Sequence, residues 1–170
     1  MRAIVWAAAI VLLYTSSTAA ENSMYALSLR IRETQRPGIL VVDIENSSSQ
    51  PIRMWQEANS WGAARWRILV FRNDHMSALF QNPDQGFTVN MPLSDELAPG
   101  ARITRKLDVN GGNWCGFGRC SSFSQHGFGG EEFKFEKGDK LVVIYDVPKT
   151  DEAHSRGVWY GFAAASSTVP

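Results

Sequence analysis

Cys115, Cys120 and His126 fall within 12 residues, and Ser121, Ser122 and Ser124 stand between the second cysteine and the histidine. Those types could supply a redox thiol pair, a soft metal site, or a hydroxyl nucleophile beside a base. The spacings argue against each. The C-x-x-C of thiol oxidoreductases is missing. A copper site of the His/Cys/Met kind wants a late methionine, and the last one, Met91, precedes both cysteines. A structural zinc wants a fourth ligand. No G-x-S-x-G turn exposes a serine. His75 and His154 fall in polar turn and loop sequence and read as solvent-facing. The acid pairs Asp95-Glu96 and Glu131-Glu132 are adjacent, so in a strand they point to opposite faces. The reading is therefore no catalytic residues, no metal and no cofactor.

What remains is a disulfide and a set of aromatics. Cys115 and Cys120 are the chain's two cysteines. An exported protein meets an oxidising compartment, where such a pair is expected to bond. The short loop between them limits the stabilisation to about 2–3 kcal/mol, so its expected role is to fix a shape. The surrounding stretch, Gly111 to Gly130, carries seven of the 14 glycines together with Trp114, Phe117, Phe123 and Phe128. Trp55 and Trp61 flank a second irregular stretch, 57–64. Aromatics on loops above a rigid scaffold commonly make contact surfaces. Trp61, Trp114, Phe117, Arg119 and Phe123 are thus the candidate ligand-binding residues. The alternative is that the aromatics fold back and cap the scaffold.

Export itself is read from residues 1–20. Arg2 precedes an unbroken apolar run, Ala3 to Tyr14, and small residues end at Ala19-Ala20. That is the layout of a secretory signal peptide, with cleavage expected after Ala20. The run is shorter than the roughly 20 apolar residues that span a bilayer. Residues 21–170 then form one domain, secreted or periplasmic, with no membrane span. Removing Arg2 leaves 16 Lys and Arg against 17 Asp and Glu, a net charge of −1. Such a balance gives no global drive towards nucleic acid. Arg65, Arg67, Arg72, Arg102, Arg105 and Lys106 could form a positive stripe on one sheet, or simply a solvated strand face.

The elements that must position these residues are strands. Residues 25–32 alternate, with Tyr25, Leu27, Leu29 and Ile31 on one face. Leu40, Val42 and Ile44 do the same within 39–45, and Trp66, Ile68 and Val70 within 65–72. Segments 52–56, 77–81, 87–91 and 101–109 read as further strands. Residues 141–147 are nearly continuously apolar, as in a central strand buried on both faces. Turn signals recur at Arg36-Pro37-Gly38, Asn73-Asp74, Asn82 to Gly86, Ala98-Pro99-Gly100 and Lys137-Gly138-Asp139. No amphipathic helix is evident. Short strands at this rhythm predict an all-β antiparallel sandwich or barrel.

Three pieces carry a resemblance. They are Ile44 to Ile52 (IENSSSQPI), Leu97 to Gly100 (LAPG) entering a strand, and Lys137 to Tyr145 (KGDKLVVIY) followed by Val158 to Phe162. These resemble the layout of immunoglobulin-like domains of exported bacterial proteins and, more faintly, the bacterial intracellular proteinase inhibitor domain. The resemblance implies an antiparallel immunoglobulin-like sandwich of about nine strands, here interrupted by a Gly-rich, disulfide-pinned loop. The expected function is a non-enzymatic binding module that recognises a protein partner through residues 111–130. Two alternatives are a proteinase inhibitor presenting residues 115–120 and a carbohydrate-binding module with an aromatic platform for a glycan. Asn46-Ser47-Ser48 is also a glycosylation sequon, relevant in a eukaryotic secretory pathway.

Overall fold

The computed structural model describes residues 26–36, 38–81, 91–111, 114–116 and 133–170. The expected signal peptide lies outside them, as do residues 87–90 of one expected strand. Ten strands and one short helix are described: β1 (Leu27–Arg36), β2 (Ile39–Asn46), β3 (Ile52–Trp55), β4 (Trp66–Arg72), β5 (His75–Gln81), β6 (Ser94–Leu97), β7 (Arg102–Asp108), β8 (Trp114–Gly116), β9 (Lys140–Val147), α1 (Asp151–Ser155) and β10 (Gly161–Thr168). The all-β expectation holds, and every paired strand is antiparallel to its neighbours.

The strands form three sheets, ordered β1-β2-β7, β10-β9-β4-β5-β8 and β3-β6. One isolated parallel bridge, Arg53 with Val158, ties the small sheet to the segment before β10. The inward faces of all three sheets feed one core. From β2 come Leu40, Val42 and Ile44, from β4 Trp66, Ile68 and Val70, and from β9 Leu141, Val143 and Tyr145. For β2 and β4 these are the alternating positions that the sequence assigns to the apolar face, and a strand's side chains alternate because its backbone is pleated. At the centre, Trp66 meets Tyr145 at 4.8 Å between ring centroids, and Tyr145 stacks on Trp159 at 6.2 Å and 9°. Each such pair adds roughly 0.5–1.5 kcal/mol beyond its buried area.

Local chemistry sets the connections. Asn73 and Asp74 both adopt positive φ, 47° and 63°, in a two-residue hairpin between β4 and β5. Asn and Asp tolerate that region, and its twist matches the flanking strands. α1 was not legible as a helix. Its five residues give no periodicity, and it starts because the Thr150 side chain accepts from Ala153 N at 3.1 Å.

β9 departs from expectation. It lies between β10 and β4, but Val142, Ile144 and Asp146 are only half-buried. Among the described residues, no layer covers that side of the sheet.

Candidate binding surface

The Gly-rich stretch begins and ends at one clasp. Asn110 Nδ2 donates to the Phe133 carbonyl at 3.0 Å, and Phe133 N donates to Asn110 Oδ1 at 2.8 Å. The clasp needs Gly38 behind it. There φ is +76°, and an added Cβ would stand 2.1 Å from Asn110 Nδ2. From the clasp the chain enters β8, which pairs with β5 through Leu79–Gly116, Phe80–Cys115 and Gln81–Trp114.

Register then decides what β8 presents. Trp114 is 4% exposed and belongs to the core. The indole packs into the core rather than standing on the surface. Its role is to anchor the stretch. Cys115 lies on the opposite side of β8 and is also buried, with Sγ 3.6 Å from the Phe80 carbonyl oxygen. No free cysteine occurs among the described residues. Phe117, Arg119, Cys120, Phe123 and His126 lie outside the described residues.

Trp61 sits elsewhere. It is half-buried and pairs with Trp55 at 6.1 Å. Its turn is organised by buried Asn59, whose Oδ1 accepts from Trp61 N and Gly62 N while Nδ2 donates to the Leu93 carbonyl. Arg65 Nε donates to the Trp61 carbonyl at 2.7 Å, and burial lowers the pKa of that guanidinium. Glu57 joins this turn to the core by accepting from Trp66 Nε1 and Arg105 Nε. Trp61 is thus partly spent on packing, and no ring contact joins it to Trp114 among the described residues.

The basic residues do not form one stripe. Arg65, Arg67 and Arg72 belong to the five-stranded sheet and its approach, whereas Arg102, Arg105 and Lys106 are on β7. Arg67 pairs with Asp146, Arg105 with Glu57, and Arg72 with Asp139 and Glu136.

The surface that stands out is the outward side of the five-stranded sheet, which sequence reasoning missed. The register places Phe71 on β4, Met76 on β5 and Phe162 on β10 on this one face. All three are exposed, Met76 by 59% and Phe162 by 53%. Half-buried Leu69, Phe80, Val142 and Ile144 fill the space between. A polar margin includes the Arg67–Asp146 pair at 2.9 Å and Ser166 and Thr168. A groove of about 580 Å3, lined by Phe71, Lys140, Val142, Ser166 and Thr168 among others, runs across β4, β9 and β10. The signal was present. Arg65 to Arg72 and Leu141 to Val147 are apolar at both parities, while the chain offers no long amphipathic helix to cover the second side.

His75 and His154 are exposed. Among the described residues, no group of three or more His, Cys, Asp or Glu could hold a metal ion, and no helix is long and apolar enough to cross a membrane. Asn46 of the sequon is fully buried, with Nδ2 donating to the Gln50 and Leu97 carbonyls and Oδ1 accepting from Ser48 N and Oγ. No family model matches the chain, and no curated protein matches it.

Proposed function

We propose that the protein is an exported, non-enzymatic binding module on an immunoglobulin-like sandwich. Its protein partner is held by the apolar side of the five-stranded sheet and by the segment following β8, which contains Phe117, Arg119 and Phe123. The carrying observation is the placement of Phe71, Met76 and Phe162 on one face. Large apolar side chains gathered in the open on one sheet face are a mark of interaction sites. The apolar middle and polar margin match the anatomy of protein interfaces.

The strand orders support the sandwich reading. β1-β2-β7 corresponds to strands A-B-E, and β10-β9-β4-β5 to G-F-C-C′. Buried Trp66 then takes the place of the core tryptophan on strand C. The export reading rests on Arg2, the apolar run and Ala19-Ala20. The same compartment supports a Cys115–Cys120 disulfide that fixes the start of the segment beside the apolar face. Thiol alkylation of the unfolded protein, with and without reductant, reads that bond directly. Labelling without reductant would remove it.

The binding reading is tested by placing a photo-crosslinking residue at Met76 in cells that export the protein. A discrete adduct with another protein is expected, and it should disappear when Phe71→Ser and Phe162→Ser are added. An adduct of twice the chain's mass would instead identify a second copy as the occupant. With no adduct, and the thermal transition unchanged, the proposal fails.

A further inference from the structure

The two large sheets end in four strands, β1, β7, β8 and β10. An edge strand leaves one row of backbone N–H and C=O groups without a ladder, and proteins protect such rows with charges, prolines, bulges or brevity. β8 is three residues long. β7 carries Arg102, Arg105 and Lys106, while β1 carries Arg30 and Arg32 and breaks register with β2 at two points. β10 has none of these protections. Its eight residues, Gly161–Thr168, are uncharged and free of proline, and they pair with β9 in unbroken register. No backbone bond joins the other side of β10 to any described residue.

Burial locates the opening. Ala163, Ala165 and Ser167 share the inward side of β10, opposite Tyr145, Val143 and Leu141 of β9. Those three β9 residues are buried, and so is Ala163, yet Ala165 and Ser167 are only half-buried. Of the other sheet, β1 comes nearest to β10, and its inward row opens too. Leu27 is buried, but Leu29 and Ile31 are half-buried although their partners Ile44 and Val42 are fully buried. The rim between β1 and β10 is thus an apolar seam that the described strands leave partly uncovered.

A strand laid along β10 would meet three surroundings. Its backbone would continue the ladder. Its inward side chains would lie at the seam of Leu29, Ile31 and Ala165, which calls for apolar residues, since a charge buried there would lack a partner. On the outward side Ala164 and Ser166 are small and exposed, so a longer apolar side chain can lean across them into the groove at Val142 and Phe71. At the far end stands Lys140, exposed and opposite Thr168 in register. The acids of the neighbouring turn, Glu136 and Asp139, are committed to Arg72, and Asp146 is committed to Arg67. Lys140 has no ionic partner among the described residues and suits a carboxylate on the incoming segment.

We propose that the free edge of β10, over residues 164–168, takes up an extended segment of another protein by strand addition. The segment has apolar side chains at alternate positions and a carboxylate at the end beside Lys140. Recognition runs through main-chain bonds, so it does not rest on the apolar face of the same sheet holding a partner.

The test selects short peptides from a random display library on the mature full-length protein. The most enriched peptide, synthesised with fluorescein, is then the probe, read by anisotropy. Enriched sequences should alternate apolar residues and place Asp or Glu at one end. Methylating the peptide's backbone nitrogens at one parity should remove binding, and methylating the other parity should not, because an added strand turns only alternate N–H groups to its neighbour. Lys140→Glu should weaken binding about threefold, whereas Lys106→Glu, equal in charge change and on the other sheet, should not. Thermal unfolding checks that both variants are folded. In the saturated complex, amide exchange should slow at alternate residues of 164–168. That readout reports on the edge, whereas crosslinking from Met76 reports on the apolar face, so either reading can fail alone. No enriched peptide, equal effects of methylation at both parities, or binding without slower exchange in β10 overturns the proposal. The same slowing on concentrating the protein without peptide would assign the edge to a second copy and overturn it too.

Discussion

Asn110 holds Phe133 by both of its backbone polar groups, as a neighbouring strand would, although 23 residues separate them in sequence. This contact closes the Gly-rich stretch on itself. Asn110→Ala removes both of these bonds to Phe133 and should lower stability by about 1–3 kcal/mol. Amide exchange at Phe133 should accelerate by more than the global change accounts for. Gly38→Ala should act on the same contact, because its Cβ would displace the Asn110 amide and its φ is positive. The two losses should therefore be less than additive in a double-variant denaturation series.

Arg72 binds Asp139 through two parallel bonds, Nε to Oδ1 at 2.8 Å and Nη2 to Oδ2 at 2.7 Å. Chiefly through this bond, the Arg72 guanidinium holds the Asp139 carboxyl below its ordinary pKa. The folded state therefore releases that proton more readily than the unfolded chain. The contribution to stability is present above about pH 4 and is lost as pH falls through the lowered value. Arg72→Ala should cost about 2–3 kcal/mol near neutrality, less than for a fully buried pair because Arg72 is partly exposed. It should also flatten the acid limb of a stability–pH curve. Arg72→Lys should not restore the limb, since lysine has no planar fork.

Tyr145 lies between Trp66 and Trp159, and burial, the largest influence, raises its phenol pKa well above the ordinary value. In an alkaline absorbance titration Tyr145 should stay silent near pH 10, where exposed phenols ionise, and should ionise only with unfolding. Because the unfolded chain gives up that proton first, stability should decline above about pH 10. Tyr145→Phe should remove that component of the decline while leaving the native absorbance step unchanged.

Trp114→Ala should behave as a core deletion, costing about 3–5 kcal/mol. Trp61→Ala should cost less, because Trp61 is only half-buried. Denaturant unfolding of the two variants ranks them. Equal, small losses would contradict the anchoring role given to Trp114.

The sequence made β2, β4 and β9 legible because one parity of each carries at least three successive apolar residues, and the burial of Leu40, Trp66 and Val143 follows directly. It concealed β6 and β8. Ser94 to Leu97 has one apolar residue, and Trp114 to Gly116 is three residues set among glycines. Both form because a neighbouring strand supplies a ladder, which is a non-local cause. The same limit applied to Trp114. Composition identified an unusual stretch, but whether the indole faces the core or solvent depends on register with β5. The apolar outer face was half legible, since Leu69, Phe71, Val142 and Ile144 were visible as a second apolar parity, but their convergence needed the strand order.

Buried Asn46 has a consequence for production of the protein in eukaryotic cells. Its amide nitrogen is committed to Gln50 and Leu97 in the folded state, so an oligosaccharide can be attached only before β2 and the turn after it close. Attachment would then bar closure. Sequon occupancy in such a host would act as a clock, recording how fast this corner of the chain folds relative to the arrival of the transferase.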